Sequence, residues 1–201
     1  MMAARLGSKV WGMVAKGSVG VLGADSLVGV SLLRQLKAAG YDVHAWSRKP
    51  HPASELCSWH TLGLTQDYPA SLQRWISLVP LTCLPLYFAL MQDLGVSNVV
   101  ALSSTSRYTK INSSDLSDQR WALDLAKAED EIERWGTAQA VTTTLLRPTL
   151  IYGHGRDQNI STIVRVLRRF HAFPLVGGGT GLRQPVHADD IAQACLAAAE
   201  R

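Results

Sequence analysis

Several groups of residues in this chain have types and spacings that suit chemistry. The first is Ser18-Val-Gly-Val-Leu-Gly23-Ala-Asp-Ser26-Leu27-Val-Gly29, which reads as a buried strand, a glycine-bearing turn and the start of a helix. Gly23 lets the chain leave the strand sharply and Gly29 lets the helix lie close to the sheet, so the unpaired N–H groups of the first helical turn face an anion. The chemistry is pyrophosphate binding, although glycines also punctuate strand-to-helix turns that bind nothing. The second group is Arg48-Lys49, beyond a strand expected over 41–46. In a βαβ unit the tip of the second strand meets an adenosine ribose, where an acid favours NAD and a basic residue accommodates the 2′-phosphate of NADP. Two cations and no acid stand at this tip, so NADP is preferred over NAD; the alternative is a solvated basic loop. A third group, Ser103-Ser104-Thr105, ends a strand over 98–102 and opens a polar loop over 105–118, the natural place for an active-site segment. Lys127 stands one helical turn after Leu123 and one before Glu131. It reads either as a surface lysine paired with Glu131 or, if desolvated, as a group able to move a proton.

The elements that must position these residues follow from periodicity. Val28, Leu32, Leu33, Leu36 and Ala39 recur at the spacing of one buried helical face, and Gly40 supplies a stop. Nearly continuous apolar runs predict strands over 57–64, 75–79, 98–102 and from 141, with a turn and short helix over 66–72 and a helix over 84–94. A helix over 118–135 lines one face with Trp121, Leu125, Ala128, Ile132 and Trp135. A helix over 160–170 is expected to bury Ile160, Ile163, Val164, Leu167 and Phe170, leaving Arg165, Arg168 and Arg169 as a solvated face. A last helix runs over 189–200. The alternation of strand and helix gives an α/β class: a Rossmann-like, doubly wound parallel sheet with helices on both faces. The expected organisation is a loose leader over 1–17 and an NAD(P)-binding domain over 18–201.

Bulk properties narrow the function. With 201 residues and 47% hydrophobic composition the chain buries a full core. A net charge of +4 with no nucleic-acid motif argues against nucleic-acid binding. Pro80, Pro85 and Asp93 interrupt the most apolar stretch, so no membrane span is expected, and the first residues read as a leader without a cleavage site. Cys57, Cys83 and Cys195 show no metal-like spacing and suit a reducing cytoplasm, so a cytoplasmic location and no metal are expected.

A family resemblance enters on the motifs. Gly23-x-x-Ser26-x-x-Gly29 resembles the Gly-x-x-Gly-x-x-Gly turn of the short-chain dehydrogenase/reductase superfamily, with Ser26 in place of the middle glycine. Leu146-Arg147-Pro148-x-x-Ile151-Tyr152-Gly153 closely resembles the Leu-Arg-Pro-x-x-Val-Tyr-Gly signature of its extended branch, the nucleoside-diphosphate-sugar epimerase/dehydratase group. Arg183-x-x-x-His187-x-x-Asp190 is similar to that branch's Arg-x-x-x-His-Val-x-Asp element, although Gln184-Pro185 is a wording similar to that of an atypical NADPH-binding accessory subunit of respiratory complex I.

The resemblance implies cofactor contacts from Gly23, Ser26, Leu27, Gly29 and Arg48, adenine recognition by Asp67, ribose contact by Lys127, and closure over the nicotinamide by the chain at Pro148. It implies that Thr105, with Ser104 next, bonds the reacting oxygen, and that Arg183 reaches a substrate diphosphate. The family's Tyr-x-x-x-Lys pair falls on Leu123 and Lys127, so the tyrosine is missing; Tyr108, Lys127 or water would have to manage the proton. The leading expectation is an NAD(P)-dependent oxidoreductase or epimerase-like enzyme acting on a small molecule, a nucleotide sugar or a related carbonyl or hydroxyl compound, with a homodimer as one assembly. The competing expectation is a catalytically degenerate NADP-binding sensor or assembly protein. Extended members continue into a smaller substrate lobe beyond the region of resemblance.

Overall fold

The computed structural model describes residues 16–63, 68–172 and 184–201. β1 (Ser18–Leu22), β2 (Asp42–Ser47), β3 (Ser58–Thr61), β4 (Arg74–Ser77), β5 (Asn98–Leu102) and β6 (Thr142–Leu146) form a six-stranded parallel sheet in the order β3-β2-β1-β4-β5-β6. The register sets Ser18 opposite Asp42 and Asn98 opposite Thr142. The strand order reverses between β1 and β4, and a crevice opens at the carboxyl ends of the strands where this happens. A short parallel pair, β7 (Ile151–Tyr152) with β8 (Val186–His187), stands apart from the main sheet.

Both faces of the sheet are covered, which is why its strands read as apolar runs. On one face α1 (Leu27–Ala38) and α6 (Ala188–Ala199) bury Leu32, Leu36, Ile191 and Cys195 against Val19, Val21, Ile76 and Val100. On the other, α4 (Leu116–Gln139) packs Leu125, Ala128 and Ile132 toward Trp75, Val99 and Ala101. The same cluster takes Leu84 and Met91 from a 3-10 turn, Leu81–Tyr87, and the helix it runs into, α2 (Phe88–Asp93). The single helix expected over 84–94 is split this way because Pro85 has no N–H to give an α-helical bond. Gly20 has to be small: a Cβ there would sit 2.6 Å from the Trp75 ring.

Two further expectations change. Residues 68–73 are not helical, and 64–67 lie outside the described residues. That part of the sheet carries an aromatic stack instead, with Trp46 4.6 Å from His60, 4.7 Å from Trp75 and 6.0 Å from Tyr68 between ring centroids. α5 (Ile160–Phe170) has its expected bounds but buries nothing, and Phe170 is 65% exposed. Its apolar period records amphipathicity, whereas burial also needs a partner element against that face. The expected leader falls almost wholly on residues 1–15, outside the described residues. No described helix is long and apolar enough to cross a membrane.

Candidate functional site

The glycine turn has the backbone geometry its spacing predicts. Gly23 has φ +72°, and a Cβ there would lie 3.0 Å from the Val79 nitrogen. At Gly29 a Cβ would run into the Ala24 backbone, so α1 could not lie as close to the turn. Ser26 is the N-cap of α1 and Leu27 its first residue. The Ser26 hydroxyl accepts from the Gly29 N–H at 3.2 Å, so it occupies one donor that an anion would otherwise use. No acid lies in the first turn of α1, which leaves the positive end of the helix dipole open.

Beside this turn a cleft of about 280 Å³ opens at the ends of β1, β2 and β4, lined by Gly23, Ser26, Trp46, Arg48, Val79 and Tyr87 among others. Its size is at the lower end for small-molecule sites. The Ser47 hydroxyl accepts from the Lys49 N–H at 3.2 Å and pairs with His51 Nε2 at 3.1 Å, which fixes the tip of β2 and leaves Arg48 exposed at the cleft. A glycine cradle a Cβ would fill, a helix N-terminus with no acid in its first turn and a cation at the tip of β2 fit a nicotinamide dinucleotide.

The exits of β5 and β6 meet nearby. Thr105 donates from its N–H to the Pro148 carbonyl at 3.1 Å and from its hydroxyl at 3.4 Å. They border a concavity of about 840 Å³ that includes Thr105, Thr109, Lys110, Asp118, Thr149 and Asn159. Lys110 Nζ is 2.6 Å from Asp118. Tyr108 is not among the residues lining that space; 58% exposed, its ring lies 5.3 Å from the Arg107 guanidinium and 5.9 Å from that of Arg147.

The strongest electrostatic feature escaped the sequence reading. Glu129 of α4 is fully buried, and its carboxylate accepts from Ser103 at 2.5 Å, from Arg147 Nε at 2.9 Å and Nη2 at 2.7 Å, and from Arg107. Burial would push this carboxyl up. The Arg147 and Ser103 hydrogen bonds and the charges of Arg147 and Arg107 outweigh burial and hold it below its usual range. One acid thereby ties the exits of β5 and β6 and α3 (Ser106–Thr109) to α4. A signal was present: Leu125, Glu129 and Ile132 share one helical face, and an acid on a buried face requires a cation.

A model of the NAD dependent epimerase/dehydratase family matches residues 87–201, more than half of the chain. The chain belongs to that family. Its fold is that of solved epimerases and dehydratases. MoeE5, in complex with UDP-glucuronic acid and NAD, is 24% identical over 92% of this chain and 73% of its own, with a TM-score of 0.66. TunA, an NAD-dependent NDP-hexosamine 5,6-dehydratase involved in tunicamycin biosynthesis, is 19% identical over 92% of this chain and 72% of its own, with a TM-score of 0.71. UDP-N-acetylglucosamine 4-epimerase from Bacillus cereus is 16% identical over the same shares, with a TM-score of 0.68. The y4nG protein of Sinorhizobium fredii is 37% identical over 54 residues, which is 27% of this chain and 14% of that protein's length.

In the terms of the epimerase/dehydratase family, Gly23, Ser26, Leu27, Gly29 and Arg48 gather at one cleft or its turn, and Thr105 and Pro148 meet at the neighbouring exits. Lys127 does not join them. The buried face of α4 is Ala122, Leu125, Ala128, Glu129, Ile132 and Gly136; Lys127 is exposed and Leu123 is 48% exposed on the opposite side. Trp121, expected on the buried face, stands one turn before Leu125 but is 41% exposed. Asp67 and Arg183 lie outside the described residues. Among the described residues no group of three or more His, Cys, Asp or Glu is placed to hold a metal.

Proposed function

We propose that this chain binds NADP(H) at the cleft formed by the glycine turn and the β2 tip, and that it lacks the tyrosine–lysine proton relay of its family. The observation that carries the reading is Arg48 lining a cleft whose other wall is the start of α1, with no carboxylate at the end of β2. In this reading the N–H groups of α1 and Ser26 hold the pyrophosphate, Arg48 and Lys49 take the 2′-phosphate, and Pro148 borders the nicotinamide. A bound nicotinamide supplies a hydride donor or acceptor. The missing relay is supported by α4, which buries Leu125 one turn after a half-exposed Trp121 and leaves Lys127 on the exposed side. A Leu and a Trp have no proton to exchange near neutral pH.

A second reading, an active enzyme, is favoured by the concavity beside Thr105. There the Thr105 hydroxyl would bond a substrate oxygen, and Lys110, held by Asp118, would stand near as a cation. The substrate class would be a nucleotide sugar or a related carbonyl or hydroxyl compound, in line with the UDP-glucuronic acid bound by MoeE5. Tyr108 and Lys127 enter that reading only if bound substrate draws them in.

The test is a fluorescence titration of the chain with NADPH and with NADH, repeated on Arg48→Ala. NADPH binding that is tighter than NADH and weakened by the substitution supports the cofactor site; equal affinities, unchanged in Arg48→Ala, reject NADP as the preferred dinucleotide. Turnover of a carbonyl or nucleotide-sugar substrate by wild type, abolished in Thr105→Ala, would favour the second reading. Its absence in wild type, with NADPH bound, favours the first.

A further inference from the structure

The loop between β7 and α5 comes back to the glycine turn. Arg156 donates from Nη2 to the Asp25 carbonyl at 3.3 Å, and Asp25 sits between Gly23 and the Ser26 cap. Neighbouring contacts fix this loop at both ends. His154 Nε2 lies 2.8 Å from the Ser31 hydroxyl on α1. Asp157 accepts from the Ser161 N–H at 2.9 Å and from its hydroxyl at 2.6 Å, anchoring the loop to the first turn of α5. His154 at φ +53° and Gly155 at φ +65° make the reversal that brings Arg156 across. The guanidinium is thus held beside the turn by structure on either side of it.

The turn has a use for that cation. Its middle position is Ser26, whose hydroxyl occupies the Gly29 N–H, and Asp25, an acidic residue, is among those lining the cleft. Both changes weaken an anion site built from backbone donors alone, one by removing a donor and the other by repulsion. An arginine offsets both, since its planar fork gives two donors to phosphate oxygens and its charge opposes that of Asp25.

We infer that Arg156 is a pyrophosphate-binding residue of the dinucleotide site, leaving the Asp25 carbonyl to engage the phosphates when ligand binds. The inference rests on the NADP(H) reading and adds a residue from a distant loop to the glycine turn. It is tested with three probes that separate the parts of the ligand: NADPH, ADP and 2′-AMP, titrated calorimetrically against wild type, Arg156→Ala and Arg156→Lys. Arg156→Ala should weaken ADP and NADPH about tenfold, the loss of one charge-assisted contact, leave 2′-AMP unchanged, and be partly rescued by Arg156→Lys. Because Arg156 is exposed, a thermal melt of Arg156→Ala should match wild type. Wild-type affinity for ADP in Arg156→Ala, or an equal loss for 2′-AMP, would overturn this role while leaving the cofactor site standing. Failure of wild type to bind any of the three would reject the site and the role together.

Discussion

Replacing Glu129 by Gln keeps its volume and removes its charge from the one fully buried acid among the described residues. Arg147 and Arg107 then lose the carboxylate that pairs with both, and Ser103 loses the acceptor 2.5 Å away. Removing one partner of a fully buried pair costs about 3–5 kcal/mol. Here the Arg147 and Arg107 side chains are 30% and 24% exposed and can partly rehydrate, so the expected loss is about 2–3 kcal/mol. For a chain of this size that is a fall in Tm of roughly 4–12 °C. The pH dependence separates charge from packing. The folded carboxyl is held below its ordinary value, so its stabilisation is complete above the unfolded value and is lost as pH falls through the folded one. Urea unfolding of wild type and Glu129→Gln should therefore differ most at neutral pH and converge below about pH 4. A difference under about 0.5 kcal/mol at neutral pH, or one that stays constant into acid, refutes the assignment of this network as a charge-dependent clamp.

Gly29→Ala should both destabilise the chain by about 1–3 kcal/mol and weaken dinucleotide binding, because the added Cβ meets the Ala24 backbone and α1 must move away from the turn; a melt and an NADPH titration on the same sample check it. Gly20→Ala pushes on the Trp75 ring but leaves the cleft's cations in place, so it should lower Tm with a smaller change in affinity. Cys83 is half-buried and lines the cleft, whereas Cys195 is buried with its thiol pushed up to about 12 by burial. Alkylation followed by peptide mass spectrometry should label Cys83 first, NADPH should slow that labelling, and Cys195 should react only on unfolding. Labelling of Cys83 that ignores saturating NADPH would argue against ligand in this cleft.

Much of this architecture was legible in local sequence. The glycine turn, the helix after it, the strand over 98–102 and the helix over 160–170 are specified by period-two or period-3.6 patterns and by residues that punctuate them, all of which act within a few positions. The Leu-Arg-Pro run was equally local, and it pointed to the family.

What local pattern does not carry is which side of a helix meets which strand. Lys127 and Leu123 stand at a suggestive spacing, yet the orientation of α4 is set by Leu125, Glu129 and Ile132 together, and that turns Lys127 to the exposed side. Likewise Arg156 reaches a carbonyl 131 positions away, and Arg147 and Ser103 find Glu129 across three elements. These contacts depend on the crossovers that stack β1, β5, β6 and α4. The composition and periodicity of the chain determine that such layers form, while the placement of each charge within them is decided only when the layers pack and every buried ion must find its partner.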